Sequence, residues 1–147
     1  MIISRLTCTD IDLVTLCAKR RIYRLTTDGS IKLYTDCGVL RISWTAGAFV
    51  DGRSGGRYVD WLMPNVGSHK ERTCWLAHDI LFYDFGISFE TTNNIFKQLL
   101  KMCGYSKLRI YLLYLGVSSD IARRHFGNNT PKEVINKTHF NVRWTDR

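Results

Sequence analysis

Residues 74–83 read Cys-Trp-Leu-Ala-His-Asp-Ile-Leu-Phe-Tyr, and this stretch decides how the second half of the chain folds. Its apolar residues recur at intervals of three and four, which is the period of one helix face. Trp75, His78 and Phe82 share that face, so the pattern predicts a helix over residues 70–85 with His78 on the buried side. On such a helix the side chain of Asp79 points about 100° away from that of His78.

The residues that follow predict two more helices. Ser88 can cap a helix that ends at Gly104, and Ser106 can cap a third helix that residues 127–131 stop. The last segment, residues 128–147, is polar and basic, and we expect an extended tail or an edge strand there. The apolar pattern of the third helix predicts an inward face made of Leu108, Tyr111, Leu112, Leu115, Ile121 and Phe126.

The first third of the chain has the pattern of β-strands. Residues 21–25 and 31–34 flank Asp28-Gly29, and Asp-Gly between two short alternating runs predicts a hairpin. Residues 39–44 alternate again, and a short helix over residues 10–19 is a further expectation. The predicted fold class is therefore α+β, with an N-terminal antiparallel sheet, a glycine-rich connection and three helices.

The chain length of 147 residues and the 45% content of hydrophobic residues predict one folded domain over residues 1–147. Within it we expect residues 20–60 to be mainly β, residues 70–127 mainly helical, and residues 128–147 a basic tail. No apolar run approaches the roughly 20 residues of a membrane span, so no transmembrane segment is expected. Asp10 and Asp12 interrupt the region where a signal peptide has its apolar core, which predicts no export by that route.

The five cysteines are odd in number and include no Cys-x-x-Cys pair, which predicts reduced thiols that fill the core. Cys74 and His78 are four residues apart, a spacing that suits two zinc ligands or a thiol beside a base. No second pair completes a zinc tetrahedron, and a core cysteine is the favoured interpretation.

The net charge of +8 is concentrated at the C-terminal end. Residues 97–147 hold ten Lys or Arg against three Asp or Glu, a net +7, whereas residues 1–96 hold eleven against ten. A basic surface of this kind can meet a protein, a nucleic acid or an anionic lipid, or can serve solubility alone. The candidate binding residues are Lys107, Arg109, Arg123 and Arg124.

A glycine-rich stretch, Asp-Gly-Arg-Ser-Gly-Gly at residues 51–56, could close around an anion through its backbone N–H groups. It is not a P-loop, because no Gly-Lys-Ser/Thr follows. Asp51 and Ser54 are the candidate binding residues here. The alternative is a plain connection between the sheet and the helices.

Four short blocks follow one another along the chain. They are Asp51-x-x-Ser54, then Trp61-x-x-x-Pro-x-x-Gly67, then Ala77-His78-Asp79-x-Leu81-Phe82, then Ser88 with Ile95-Phe96. Together they resemble a phage-encoded family of unknown function over about residues 38–127. The resemblance implies a phage protein in the host cytoplasm or in the virion, and implies no activity.

The His-Asp helix and the helix after it are also similar to the phospholipase domain of parvovirus capsids. That resemblance implies that His78 activates water, that Asp79 binds calcium, and that Asn93 orients His78. Phe82 stands where both families have Tyr, and Asn93 stands where both have Asp. Gly55-Gly56 replaces the x-Pro of the phage pattern and is no clear match to a glycine-rich calcium loop.

Two function classes therefore remain. The favoured one is a non-catalytic phage accessory or virion-associated protein that binds a phage or host macromolecule through its basic surface. In that case a hydrogen bond between His78 and an asparagine of the next helix serves the fold, since an unpaired buried imidazole costs about 1–3 kcal/mol. The other is a small phospholipase-like ester hydrolase that uses His78, Asp79 and Asn93, with calcium as cofactor.

Overall fold

The computed structural model describes residues 1–17, 22–50, 62–64, 67–127 and 131–146. It has the predicted α+β architecture, with antiparallel strands first and helices after them. The chain forms two compact units. The sheet unit consists of Met1–Asp51 with Asn129–Arg147, and the helical unit consists of Gly52–Asn128.

The elements are named in chain order. The strands that come first are β1 (Ile3–Cys8), β2 (Leu13–Cys17), β3 (Ile22–Leu25), β4 (Gly29–Thr35), β5 (Gly38–Trp44) and β6 (Phe49–Val50). They are followed by α1 (His69–Leu81), α2 (Phe89–Met102), α3 (Lys107–Val117), α4 (Asp120–His125), α5 (Pro131–Lys137) and β7 (Phe140–Thr145).

The sheet unit contains two antiparallel sheets among its described residues. One has the strand order β1-β4-β5-β7 and the other the order β2-β3-β6. Alternate residues of β4 and β5 face the core, where Ile31, Leu33, Leu40 and Ile42 are completely buried. Only two residues join β4 to β5, and the Thr35 hydroxyl stabilises this turn by donating to the Gly38 carbonyl over 2.9 Å.

The hairpin predicted at Asp28-Gly29 is wrong, although both strands exist. β3 and β4 belong to different sheets, so the Asp-Gly pair links two sheets instead of turning within one. Gly29 is required for another reason, since a Cβ there would overlap the Trp44 ring. Trp44 Nε1 in turn donates to the Thr27 carbonyl over 3.0 Å, and the Asp28 carboxylate accepts from the Ala46 N–H over 2.7 Å.

One further prediction for the sheet unit is wrong, and another is confirmed in part. Within residues 10–19, where a helix was expected, β2 pairs antiparallel with β3, Leu13 opposite Leu25. Cross-strand pairing and the β-branched Val14 and Thr15 favour a strand there. Among residues 128–147, β7 is the expected edge strand and pairs with β5 from Val39–Thr145 to Trp44–Phe140. Helix α5 in that segment was not predicted.

The helical unit has α1 to α4, and a serine caps each of these helices. Ser88 accepts from Thr91 N–H and Ser106 accepts from Arg109 N–H, as the sequence predicts. Ser68 and Glu71 form a reciprocal capping box at the start of α1. The predicted third helix is in fact two helices, because Ser119 caps a new one by accepting from Ala122 N–H over 3.2 Å.

The predicted inward face of the third helix is wrong for most of its residues. Leu108, Tyr111 and Leu115 are 66%, 58% and 48% exposed, and Ile121 is exposed as well. The buried residues of α3 are Ile110, Leu113 and Val117, on the opposite side of the helix. Since α3 is apolar on both sides, its spacing alone does not determine which side faces the core.

Candidate functional site

The His78 imidazole lies between α1 and α2 and is only 4% exposed. Its Nε2 donates to Oδ1 of Asn93 over 2.9 Å, so the expected hydrogen bond to the next helix is present. Asn93 is the fifth residue of α2, and Ser88 caps the start of that helix. With Nε2 as the donor, Nδ1 is the nitrogen that carries the basic lone pair.

Aromatic rings surround the imidazole. Its centroid lies 5.2 Å from that of Phe82 and 4.7 Å from that of Phe96. Phe82 also packs edge-on against Phe126 and Phe89, so the ring of His78 belongs to a larger aromatic cluster. Phe82, which replaces the Tyr of the two resembled families, thus contributes packing at this position.

Burial sets the charge of His78. Desolvation lowers the pKa of the imidazole to about 4, and the hydrogen bond to Asn93 opposes this shift only in part. The side chain is therefore neutral at pH 7. A neutral imidazole is the form that a general base requires, but it is also the form that packs among apolar rings.

The calcium ligand implied for Asp79 finds little support in its surroundings. Asp79 is half-buried on α1. In the described ranges no three His, Cys, Asp or Glu side chains converge on a point where a metal ion could be held. No cluster of acidic ligands for calcium is therefore present among the described residues, and we derive no step through such an ion. Asp51 and Ser54, the candidate anion-binding residues, lie outside the described residues.

Two of the four candidate basic residues are held by contacts within the helical unit. The Arg109 guanidinium donates to the Leu62 carbonyl, with Nε at 2.9 Å, and lies 3.9 Å from the centroid of the Tyr105 ring. Arg123 pairs with Glu90 at 2.8 Å. Lys107 and Arg124 are exposed.

A junction between α1 and the turn that precedes α3 was not recognised in the sequence. The Tyr105 hydroxyl donates to the Glu71 carboxylate, which also accepts from the backbone N–H of Ser68. Burial raises the pKa of Glu71, but these hydrogen bonds outweigh it and hold the pKa below its ordinary value. Burial, followed by the bond to Glu71, raises the pKa of Tyr105. The Ser-x-x-Glu spacing of the capping box was the signal that could have revealed Glu71.

The five cysteines are all free thiols. Cys74 is buried, and burial raises the pKa of its thiol far above the ordinary value, which disfavours the thiolate that a nucleophile or a zinc ligand needs. No helix within the described parts of the chain is long and apolar enough to cross a membrane. No family model, no curated protein and no solved structure matches this chain.

Proposed function

We propose that the protein acts by binding, as a phage accessory or virion-associated protein that holds an acidic surface of a phage or host macromolecule. The observation that carries this proposal is a basic stripe on the exposed side of α2. It consists of Lys97 and Lys101, with Arg123 placed at the start of the same helix.

The geometry of this basic stripe follows from helix spacing. Glu90, Lys97 and Lys101 lie on one side of α2, since they are separated by seven and four residues, and all three are exposed. The ion pair of Glu90 with Arg123 brings the basic last turn of α4 to the first turn of α2. The stripe thus extends over about 16 Å, eleven residues at 1.5 Å each.

The enclosure of His78 supports a non-catalytic role. The side chain is 4% exposed, is packed between two phenylalanine rings and uses one ring nitrogen to bind Asn93. Each of these contacts has a structural purpose that needs no substrate.

The composition of the stripe favours a protein as partner. A nucleic-acid backbone or an anionic membrane presents a uniform row of negative charges, which suits an uninterrupted row of cations. Glu90 adds a negative charge at one end of the stripe, and a mixed stripe suits a protein surface with charges of both signs. Nucleic acid and anionic lipid are alternatives that the experiment distinguishes.

The test is capture from phage-infected host cells by wild type and by the double variant Lys97→Glu/Lys101→Glu. Lys132→Glu, an exposed lysine of the sheet unit, is the control. We expect wild type and the control to retain the same protein in nuclease-treated extract, and the double variant to bind the purified partner at least about tenfold more weakly. Equal binding by the double variant, or retention only of nucleic acid or of phosphatidylglycerol vesicles, contradicts the proposal.

A second candidate function, ester hydrolysis, is favoured by the 2.9 Å contact of His78 with Asn93, which is the pair that the phospholipase resemblance implies. It is tested on phospholipid vesicles with calcium and then with chelator, using wild type, His78→Ala and Asn93→Asp. Calcium-dependent fatty-acid release that disappears in a still-folded His78→Ala variant and rises in Asn93→Asp would establish it. No release from wild type, with loss of the thermal transition in His78→Ala, would assign His78 to the core.

A further inference from the structure

Helix α3 has an apolar side that its own unit leaves exposed. Leu108, Tyr111 and Leu115 form this side, which we term the α3 seam, and Leu112 flanks it half-buried. The intervals of three and four residues between them are those of the a and d positions of a coiled coil. Such a row of side chains is suited to packing against a second helix.

The charge at the start of α3 opposes the dipole of that helix. Lys107 is the first residue of α3, no acidic residue lies in the first turn, and no basic residue lies in the last turn. A cation at the N-terminus of a helix is unfavourable, whereas a cation near the C-terminus is favourable. An exposed carboxylate, Asp120, follows the end of α3 by three residues and is the first residue of α4.

We propose that the α3 seam pairs with the α3 seam of a second copy of this chain, antiparallel, about a two-fold axis near residues 111 and 112. In this arrangement Leu108 of each copy faces Leu115 of the other, and the two Tyr111 rings lie beside the axis. Lys107 of each copy reaches the C-terminal end of the other α3 and its Asp120. The self-complementary charges are the reason to assign a second copy as the occupant, since a two-fold interface brings each end of α3 to the opposite end.

Gly116 is consistent with this pairing. It is exposed beside Leu115, and a Cβ there would meet nothing within 4 Å, so the fold of one copy does not require glycine. Glycine is a poorer helix former than alanine. At the edge of the α3 seam it lets the backbone of a second helix approach closely.

The size of the α3 seam predicts a weak dimer. An eleven-residue helix is about 16 Å long, and two such helices bury less than the roughly 1,200–2,000 Å² of a stable interface. A dissociation constant on the order of 100 µM is expected. The pairing goes beyond the proposed binding function, because it uses α3 whereas the basic stripe lies on α2 and α4.

The first test is sedimentation velocity of the full chain from about 10 µM to about 1 mM. Wild type should shift from monomer to dimer over this range, and Leu108→Glu and Leu115→Glu should remain monomeric. Ile135→Glu is the matched control, since Ile135 is 68% exposed on α5 and Leu108 is 66% exposed. A monomeric wild type throughout, or dimerisation that survives both seam variants, overturns the proposal.

The second test addresses the antiparallel orientation. Lys107→Glu and Asp120→Lys should each weaken dimerisation about three- to tenfold, since each removes two equivalent surface attractions, and the double exchange should restore it. Failure of the double exchange to restore the dimer overturns the assigned orientation. Lys97→Glu/Lys101→Glu should dimerise like wild type, so a failure of the basic-stripe proposal and a failure of this one are separable.

Discussion

His78 shows at the scale of one residue how a fold can use a titratable group without charging it. The imidazole loses its hydration on burial, and instead makes one hydrogen bond to Asn93 and packs against Phe82 and Phe96. The sequence was sufficient to predict both the buried side of α1 and the asparagine partner, because each follows from helix spacing and from the cost of an unpaired imidazole. Phe82 follows from the same helix spacing, whereas the contact with Phe96 could not be predicted because it depends on how α2 packs against α1.

The first prediction concerns stability at mildly acidic pH. The pKa of His78 is about 4 in the folded chain and near 6.5 when unfolded, so the unfolded state takes up the proton first. The stability that the neutral, buried His78 contributes is fully present above pH 6.5 and is lost as the pH falls toward 4. Over this range the free energy of unfolding falls by up to about 3 kcal/mol.

Urea unfolding at several pH values between about 7 and 4.5 measures this effect. His78→Gln should show a shallower slope than wild type, because carboxylates of lowered pKa such as Glu71 still contribute, whereas His125→Gln, which changes an exposed histidine of α4, should keep the full slope. Parallel pH profiles for wild type and His78→Gln would show that His78 does not titrate as its burial requires.

Glycine 29 shows where a residue signal is misleading. Asp-Gly predicts a hairpin because glycine tolerates a positive φ, yet Gly29 is needed here because the Trp44 ring leaves no room for a Cβ. An Asp-Gly pair can therefore mark a hairpin turn or a close contact with a side chain. Here the position of Trp44, fifteen residues further along the chain, decides that it is a close contact.

At the scale of elements, local rules predict where α2 and α3 begin but not which side of α3 is buried. The serine caps of α2 and α3 depend on a few neighbouring residues and were predicted from the sequence. The buried side of α3 depends on competition between two apolar faces, and contacts elsewhere in the unit decide it. Similarly, the β2 segment is a strand because β3 pairs with it.

The second prediction concerns the junction of α1 with the turn that precedes α3. Tyr105→Phe removes the hydroxyl that donates to Glu71, and the free energy of unfolding should fall by about 1–3 kcal/mol, as for other hydrogen bonds to charged groups. Tyr111→Phe, which removes an exposed hydroxyl from α3, should change it by less than about 0.5 kcal/mol. Chemical denaturation in dilute solution measures the stability of both variants. Equal losses in Tyr105→Phe and Tyr111→Phe would mean that the hydrogen bond to Glu71 does not contribute to stability.

At the scale of the whole molecule, the sheet unit is built from two distant segments. β7 adds to β5 across about a hundred residues, and Asn136 of α5 both donates to and accepts from the backbone of Phe49 over 2.8 Å. No local pattern reveals a pairing over such a separation, which is why the C-terminal segment was interpreted as a tail or an edge strand without a known neighbour.

The third prediction tests this division. Phe140→Asp places a charge at a buried position of β7 opposite Trp44, and should unfold the sheet unit while leaving the helical unit folded. In NMR spectra the indole N–H signal of Trp44 should collapse to a random-coil shift, whereas that of Trp75 in α1 should persist. Asn141→Asp, at the next and exposed position, should preserve both signals. Simultaneous loss of both would mean that the two units unfold together.

The two-segment construction of the sheet unit also has a consequence during synthesis on the ribosome. All residues of the helical unit are made before β7, so α1 to α4 can form while β5 still has an open edge. At about 5–20 residues per second, roughly a hundred residues take several seconds, and an unpaired strand edge can join a neighbouring nascent chain in that time. The sheet unit is therefore begun first and completed last. A chaperone that covers the open edge of β5 during this interval would prevent such pairing.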